Sequence, residues 1–305
     1  MKRSFRLLSG VAVVALLFGA ASADASWFDL PSGGSGFKLL KLDATPTSLA
    51  LSGAGVGTRS IDPILNPATD SASHASLAAG YGTTFQKLDG SLQQAAWTLP
   101  DGSWTWNALA RFEGFDNLQG RDQEDRTTGT YSASSWALDA GLSAPAPIEG
   151  LRVGATIGTG MDIVANASSW AGWMSLGATY HLADAPWSTG LSWRNIGMGT
   201  TSGDHAENLP MVIQWGGAWT QPMGSWSLVP MADVKWVADE DIQFPVALEA
   251  RWRILSLRTG FVVGRSEALP SLGLGLAWDG WTIDLGTGWH QSLGFSPAGR
   301  FGFQI

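Results

Sequence analysis

Residues 103–113 read SWTWNALARFE, and the fold turns on the rhythm of those eleven letters. Trp104, Trp106, Ala108, Ala110 and Phe112 fall on one side, and Thr105, Asn107, Arg111 and Glu113 on the other. A spacing of two is the period of a strand, whereas a helix needs spacings of three and four. The same alternation returns in WTIDLGTGWH (281–290), where Trp281, Ile283, Leu285 and Trp289 oppose Thr282, Asp284 and His290. In VALEARWRI (246–254), Leu248, Ala250, Trp252 and Ile254 oppose Glu249, Arg251 and Arg253. A face with two arginines and a glutamate cannot fill the dry core of a sandwich. It can face a wet lumen while its apolar opposite meets lipid.

Working outward from 103–113, the chain divides from residue 74 into fourteen such segments, the first at 74–86 and the last at 299–305. An even number suits a closed antiparallel barrel, which leaves no strand edge for lipid to expose. The expected class is therefore all-β: a transmembrane antiparallel β-barrel of about 14 strands. With the N-terminus on the periplasmic side, the even connections should be tight turns, and they read PDG, APAPIE, ADAPW, QPMG, LS and Asp279-Gly280. The odd connections should include the long loops, and they contain 114–130, 197–210 and 291–299. Trp97, Trp187, Trp226, Trp236, Trp278, Trp281 and Trp289 lie near strand ends, as in an aromatic girdle at the boundary between acyl chains and headgroups. The chain closes RFGFQI, a final strand ending on Ile305 rather than on an aromatic residue.

Composition fits the same class. Charged residues make up 14% of the 305, against a usual ~25%, and there are 17 Trp and 39 Gly. The opening, with Lys2, Arg3 and Arg6 before an apolar run and Ala21-Ser22-Ala23, reads as a secretory signal peptide over 1–23. Beyond it no stretch approaches the ~18 consecutive apolar residues of a membrane helix. Residues 24–73 then form an N-terminal periplasmic or plug segment, and 74–305 the barrel. The absence of Cys rules out disulfides, thiolate nucleophiles and Cys-based metal sites. The formal charge of −8 becomes −11 without the three n-region cations, which argues against a nucleic-acid partner.

The segment before the first strand contains LALSGAGVGTRSIDPILNPATDS (49–71). Its glycines suggest a phosphate loop, but Gly53, Gly55 and Gly57 give G-x-G-x-G. No βαβ unit follows, and no lysine stands where a P-loop needs one. A plug is the better reading: residues 47–51 can form a short helix, and the glycines permit close backbone packing. Asn66-Pro67-Ala68 suits a turn.

These motifs carry a resemblance. The run from Ala44 to Ser71, with its S-G-A-G-V-G core and the later NPA, resembles the N-terminal signature of the PorV/PorQ family. Trp193-Arg194-Asn195-Ile196-Gly197, Asn208-Leu209-Pro210, Asp233, Glu249 and Leu257-Arg258-Thr259-Gly260-Phe261 are similar to later family marks in the same order. So are Leu272-Gly273-Leu274-Gly275 and Ile283-Asp284. Thr69 stands where the family's usual glycine follows NPA. The resemblance implies a FadL-like outer-membrane barrel of type IX protein secretion in a Gram-negative-type bacterium. Such a barrel binds the C-terminal signal domains of cargo or anchors a surface subunit of the attachment complex. The implied partners are other type IX subunits, secreted cargo and outer-membrane lipid. A FadL-like channel for hydrophobic small molecules is the alternative, and a porin-like barrel without a specific partner is a third.

Three groups of residues follow as candidates. Gly53, Gly55, Gly57, Asn66, Pro67 and Ala68 would shape the plug or its hinge. Arg111, Glu113, Asp139, Arg194, Asp233, Lys235, Glu249, Arg251, Arg253 and Asp284 would line the lumen and pair across it. So many inward charges argue against a greasy conduit and towards secretion. Asp122, Glu124, Asp125, Asp204, His205 and Glu207 would meet partners on extracellular loops. No G-x-S-x-G and no nucleophile–base pattern appears, so no enzyme and no cofactor are expected. The acidic runs 121–126 and 239–241 could offer oxygen ligands to calcium but lack the EF-hand pattern.

Overall fold

The computed structural model describes residues 36–42, 45–58, 62–68, 74–84, 90–122, 124–181, 185–200, 206–238, 240–264 and 270–305. The expected signal peptide lies outside them. Fourteen main strands form one antiparallel sheet that closes on itself. They are β1 (Ser76–Thr84), β2 (Gly90–Asp101), β3 (Trp104–Arg121), β4 (Thr127–Pro145), β5 (Leu151–Val164), β6 (Ala167–His181) and β7 (Trp187–Thr200). They continue as β8 (Val212–Trp219), β9 (Trp226–Val237), β10 (Phe244–Trp252), β11 (Leu255–Val263), β12 (Ser271–Trp278), β13 (Trp281–His290) and β14 (Gly294–Gln304). Two three-residue pieces, Ala206–Asn208 and Gln221–Met223, extend the pairing on either side of β8. Each strand pairs with its sequence neighbour, and β14 pairs back to β1 through Leu77↔Phe303 and Ala79↔Phe301.

The alternation read at 103–113 holds in space. Trp104, Trp106 and Phe112 are exposed on the outer wall, while Thr105, Asn107, Arg111 and Glu113 are buried inside. On the outside Leu77, Leu138, Ile157, Leu191, Leu257, Leu272 and Leu285 stand exposed, an apolar belt that only a hydrocarbon surrounding makes favourable. At the end carrying Ser76 and Gln304 the belt finishes in aromatic pairs: Trp226 stacks on Trp252 with centroids 5.7 Å apart, and Trp281 meets Phe303 at 4.3 Å. The fully described connections at this end are tight. The turn Asp279-Gly280 has φ of 45° and 81° at its two central positions, the left-handed pair that a two-residue hairpin requires.

The opposite end differs from expectation. Residues 114–130 are not a loop: β3 runs on to Arg121, β4 begins at Thr127, and the hairpin stays paired through Gly120↔Gly129. Polar residues can keep a ladder past the lipid, so polarity alone misplaces the strand end. In the same way β7 continues to Thr200, and β14 begins at Gly294 instead of 299.

Inside the ring lie the described residues of the N-terminal segment, 36–42, 45–58 and 62–68. Lys38–Lys41 form a 3-10 turn and Pro46–Ala50 a short helix, α1. Pro46 at the first helical position and the Thr45 hydroxyl, which accepts from the Ser48 N–H at 3.2 Å, start α1 as expected for a helix N-terminus. Leu39, Ala50, Leu51, Ala54, Val56, Leu65 and Ala68 are buried against the wall. The segment is a plug.

Candidate functional site

The glycine stretch does cradle an anion, but the anion belongs to the barrel. Gly53 and Gly55 take φ of 74° and 104°, which turns the next amides inward. The Gly55 and Val56 N–H groups donate to Oδ2 of Asp233 on β9 at 2.8 and 3.0 Å. Gln214 of β8, fully buried, donates from Nε2 to the same oxygen at 2.7 Å and to the Gly53 carbonyl at 2.7 Å. Successive backbone amides form a concave nest for a negative group, and the Asp233 carboxylate fills it. Gly57 sits so close that a Cβ there would come within 2.9 Å of the Gly216 carbonyl oxygen and 3.0 Å of the Gly190 nitrogen.

Asn66 is a second pin, and far more than a turn residue. Its Oδ1 accepts from the Ala68 N–H at 3.0 Å, while Nδ2 donates to the carbonyls of Val56 at 2.8 Å and Ala178 at 3.1 Å. Thr179 on β6 reaches the Ala68 carbonyl at 3.3 Å. The plug lies directly on wall backbone at glycines. A Cβ on Gly154 would overlap Pro67, one on Gly177 would overlap Asn66, one on Gly190 would overlap the Val56 carbonyl, and one on Gly286 would overlap Pro46. Sequence reading missed these wall glycines, although all fall on the inward parity of their strands.

The inward charges form a chain that ends on the plug. Arg251 pairs with Glu249 at 2.6 Å, Glu249 with Arg258 at 3.0 Å, and Arg258 with Asp284 at 2.7 Å. Arg300 then bridges Asp284 at 3.3 Å and Asp62 of the plug at 3.1 Å. Gly275 leaves the space that Arg258 crosses, since a Cβ there would lie 2.8 Å from its Nη1. On the other side of the lumen Arg111 pairs with Asp139 at 2.8 Å, and Arg194 donates to the Ile64 carbonyl at 3.0 Å. Lys235, Glu113 and Asp233 are inside as expected. Arg253 is not. β10 ends at Trp252, and Arg253 lies exposed in the turn with φ 51°, its guanidinium 5.3 Å from the Trp252 ring. Arg258, Arg300 and Asp62 were unrecognised participants; inward parity would have found the two arginines.

The loop-side end of the plug is held differently. Phe37, Leu39 and Leu40 sit in an apolar chamber with Leu92, Ala137, Ala171, Trp173 and Leu209 of the wall. Burying each large apolar side chain there contributes about 1.5–3 kcal/mol. The inward charges thus leave room for a closed apolar chamber, whose walls come from distant strands and whose filling the plug supplies.

The wall beside this chamber is interrupted. β7 pairs with β8 as far as Arg194↔Val212 and resumes at Met198↔Asn208 with the short piece that precedes β8. Between them Asn195, Ile196 and Gly197 have no ladder partners in Leu209, Pro210 and Met211. Asn195 takes φ 60°, the β6–β7 register shifts at Met174/Leu176, and Pro210 has no N–H to give. The Asn195 amide spans the break, donating from Nδ2 to Pro210 O at 2.9 Å and Leu40 O at 3.3 Å.

Of the expected partner residues, Asp122, Glu124 and Asp125 form the exposed tip of the β3–β4 hairpin. They pair there with Arg121 and Arg126 at 2.9–3.1 Å. Asp204 and His205 lie outside the described residues, and Glu207 belongs to the piece paired with β7. Among the described residues no cluster of three or more His, Asp or Glu side chains is arranged to hold a metal.

No protein-family model and no curated protein matches the sequence. Solved structures do match the architecture. The P. putida toluene transporter TodX superposes with a TM-score of 0.61 at 10% identity, over 86% of this chain and 98% of that one. The fold is FadL-like. A monoaromatic hydrocarbon channel, CymD, gives a TM-score of 0.60 at 12% identity over 86% and 97%. A Pseudomonas aeruginosa FadL homologue gives 0.54 at 11% over 85% and 97%. The barrel therefore shares its architecture with known outer-membrane proteins.

Proposed function

We propose that the protein is an outer-membrane barrel that passes small hydrophobic molecules, with residues 36–42 as the movable stopper. One observation carries this reading: the plug's own Phe37, Leu39 and Leu40 occupy an apolar chamber that borders the break between β7 and β8. Withdrawal of 36–42 would leave a cavity lined by Leu92, Ala171, Trp173 and Leu209, suited to an apolar guest. Residues 45–58 and 62–68 pack against the inner wall, so in this reading the guest would leave sideways through the interrupted wall. The toluene transporter and the monoaromatic hydrocarbon channel that share the fold support the substrate class, and the location of both barrel termini beside the short turns supports a periplasmic turn side. No catalysis enters this reading. The test is uptake of radiolabelled toluene by cells with and without the gene. Faster entry with the barrel is expected, and equal rates in both strains would overturn it.

A second reading is the type IX secretion role implied by the PorV/PorQ resemblance. The observation favouring it is that the resembling motifs are structural anchors here: S-G-A-G-V-G wraps Asp233, and NPA pins the plug to β6. Purification from gently solubilised outer membrane tests it. Co-purifying exported proteins that share one C-terminal domain would support secretion, and a barrel recovered alone would count against it.

A further inference from the structure

Two-residue turns at the end carrying Ser76 and Gln304 include Gly102-Ser103, Gly224-Ser225, Arg253-Ile254 and Asp279-Gly280. In the first three the leading residue takes φ of 60°, 66° and 51°, and the residue after it does not go positive. A hairpin turn of this kind asks for glycine at its leading position. Gly102 and Gly224 meet the demand, and a Cβ on either would touch nothing within 4 Å, so backbone conformation alone accounts for them. Arg253 breaks the rule. A long side chain is strained in the left-handed region, and strain of this kind points to a use for the residue that bears it.

The side chain is placed for one. Trp252 stands on the outer wall stacked on Trp226, and the Arg253 guanidinium lies 5.3 Å from its ring. The cation is thus held on the lipid side of the wall, at the level of the aromatic girdle where acyl chains give way to headgroups. Ile254, where the two glycine-led turns have serine, is 54% exposed beside it. Among the described residues no carboxylate pairs with Arg253. The other arginines at this end point inward: Arg251 pairs with Glu249 at 2.6 Å, and Arg152 is buried and donates to the Ser143 hydroxyl at 3.1 Å. An outward guanidinium braced on an indole, next to an exposed isoleucine, suits a ligand that is anionic at its head and apolar behind it. The planar fork of arginine takes phosphate oxygens two at a time.

We propose that the Arg253-Ile254 turn binds the phosphate group of an anionic phospholipid, in the membrane leaflet at the short-turn end. Arg253 donates to the phosphate oxygens, Trp252 holds the guanidinium against the wall, and Ile254 offers the lipid an apolar contact. The seat does not depend on what the barrel passes.

The test melts the full chain in neutral detergent, alone and with phosphatidylglycerol, phosphatidylcholine or inorganic phosphate added. In detergent alone Arg253→Gly should melt a few degrees above the unaltered protein, because glycine fits the turn. Phosphatidylglycerol should raise the midpoint of the unaltered protein by several degrees and reverse that order, since a ligand of the folded state stabilises it. Phosphatidylcholine and inorganic phosphate should do much less. Arg253→Asn, which tolerates the left-handed conformation but lacks the charge, should behave as Arg253→Gly does. An equal rise with phosphatidylglycerol in all three proteins would overturn the proposal. So would an equal rise with inorganic phosphate, which would make free phosphate the ligand. Native mass spectrometry gives a second reading: the unaltered barrel should retain phosphatidylglycerol several-fold more than either variant, and equal retention would also overturn the seat.

Discussion

The described residues of 45–68 (45–58 and 62–68) and residues 36–42 lie in the same lumen, yet they are held by different chemistry. The longer stretch is fixed by directional contacts: the amide nest on Asp233, the Asn66 carboxamide, the Arg300–Asp62 pair and backbone laid on wall glycines. The shorter stretch is held mainly by apolar burial, with the Phe37 N–H on Asp162 at 2.9 Å, the Asn195 link and an ion pair from Lys41 to Glu240 at 3.2 Å beside it. Hydrogen bonds and close packing define one geometry, whereas apolar burial has no direction and accepts a substitute of similar size. The proposed exchange of an apolar guest would use both kinds of attachment, one to hold the plug's place and one to let a guest in.

The largest effect should come from removing the anchor. Asp233→Ala strands the Gly55 and Val56 amides and removes one of the two bonds of Gln214 Nε2, at a cost of about 3 kcal/mol or more. Its plug should become protease-sensitive from Gly53 onward while the strands persist; a plug as resistant as before would end the claim that Asp233 is the anchor. Gly190→Val attacks the same region by crowding, since its side chain must take the place of the Val56 carbonyl. Overpacking of this kind costs about 1–3 kcal/mol, read as a lowered melting midpoint in detergent.

Phe37→Ala separates the two regions most cleanly. Hydrogen exchange at residues 36–42 should accelerate at least tenfold, with 45–68 unchanged and toluene entry faster. Acceleration spread over the whole plug would show that the two stretches move as one. Arg126→Ala should do least. It breaks exposed pairs with Asp122 and Glu124 at the hairpin tip, worth about 0.5 kcal/mol or less, and should leave plug and uptake as they were.

The sequence made the barrel plain because lipid outside and polar contents inside impose a period of two on every strand, as at Trp104–Glu113. The plug was legible from Gly53–Gly57 and Asn66-Pro67-Ala68, but its contacts were not: nothing in SGAGVG names Asp233, some 180 positions later, as its acceptor. Strand ends were misplaced where polar residues keep pairing beyond the apolar belt, in β3 and β4, and where a strand stops early, before Arg253. The apolar chamber stayed hidden because Phe37, Leu92, Trp173 and Leu209 meet only when the sheet curves round. Glycine was silent for a different reason. Having no side chain, it belongs to neither the apolar nor the polar half of an alternating pattern.

Those silent positions give the same mutation two opposite meanings. Inside a strand, glycine weakens the element by about 0.5–1 kcal/mol relative to alanine. At Gly154, Gly177, Gly190 and Gly286 the nearest atoms to an added Cβ all belong to the plug. An alanine there is therefore an injury to the plugged protein and a repair to the same barrel stripped of residues 36–68. The ring is a poorer sheet than its own sequence could make, and its weak points trace an imprint of the segment it was shaped to hold.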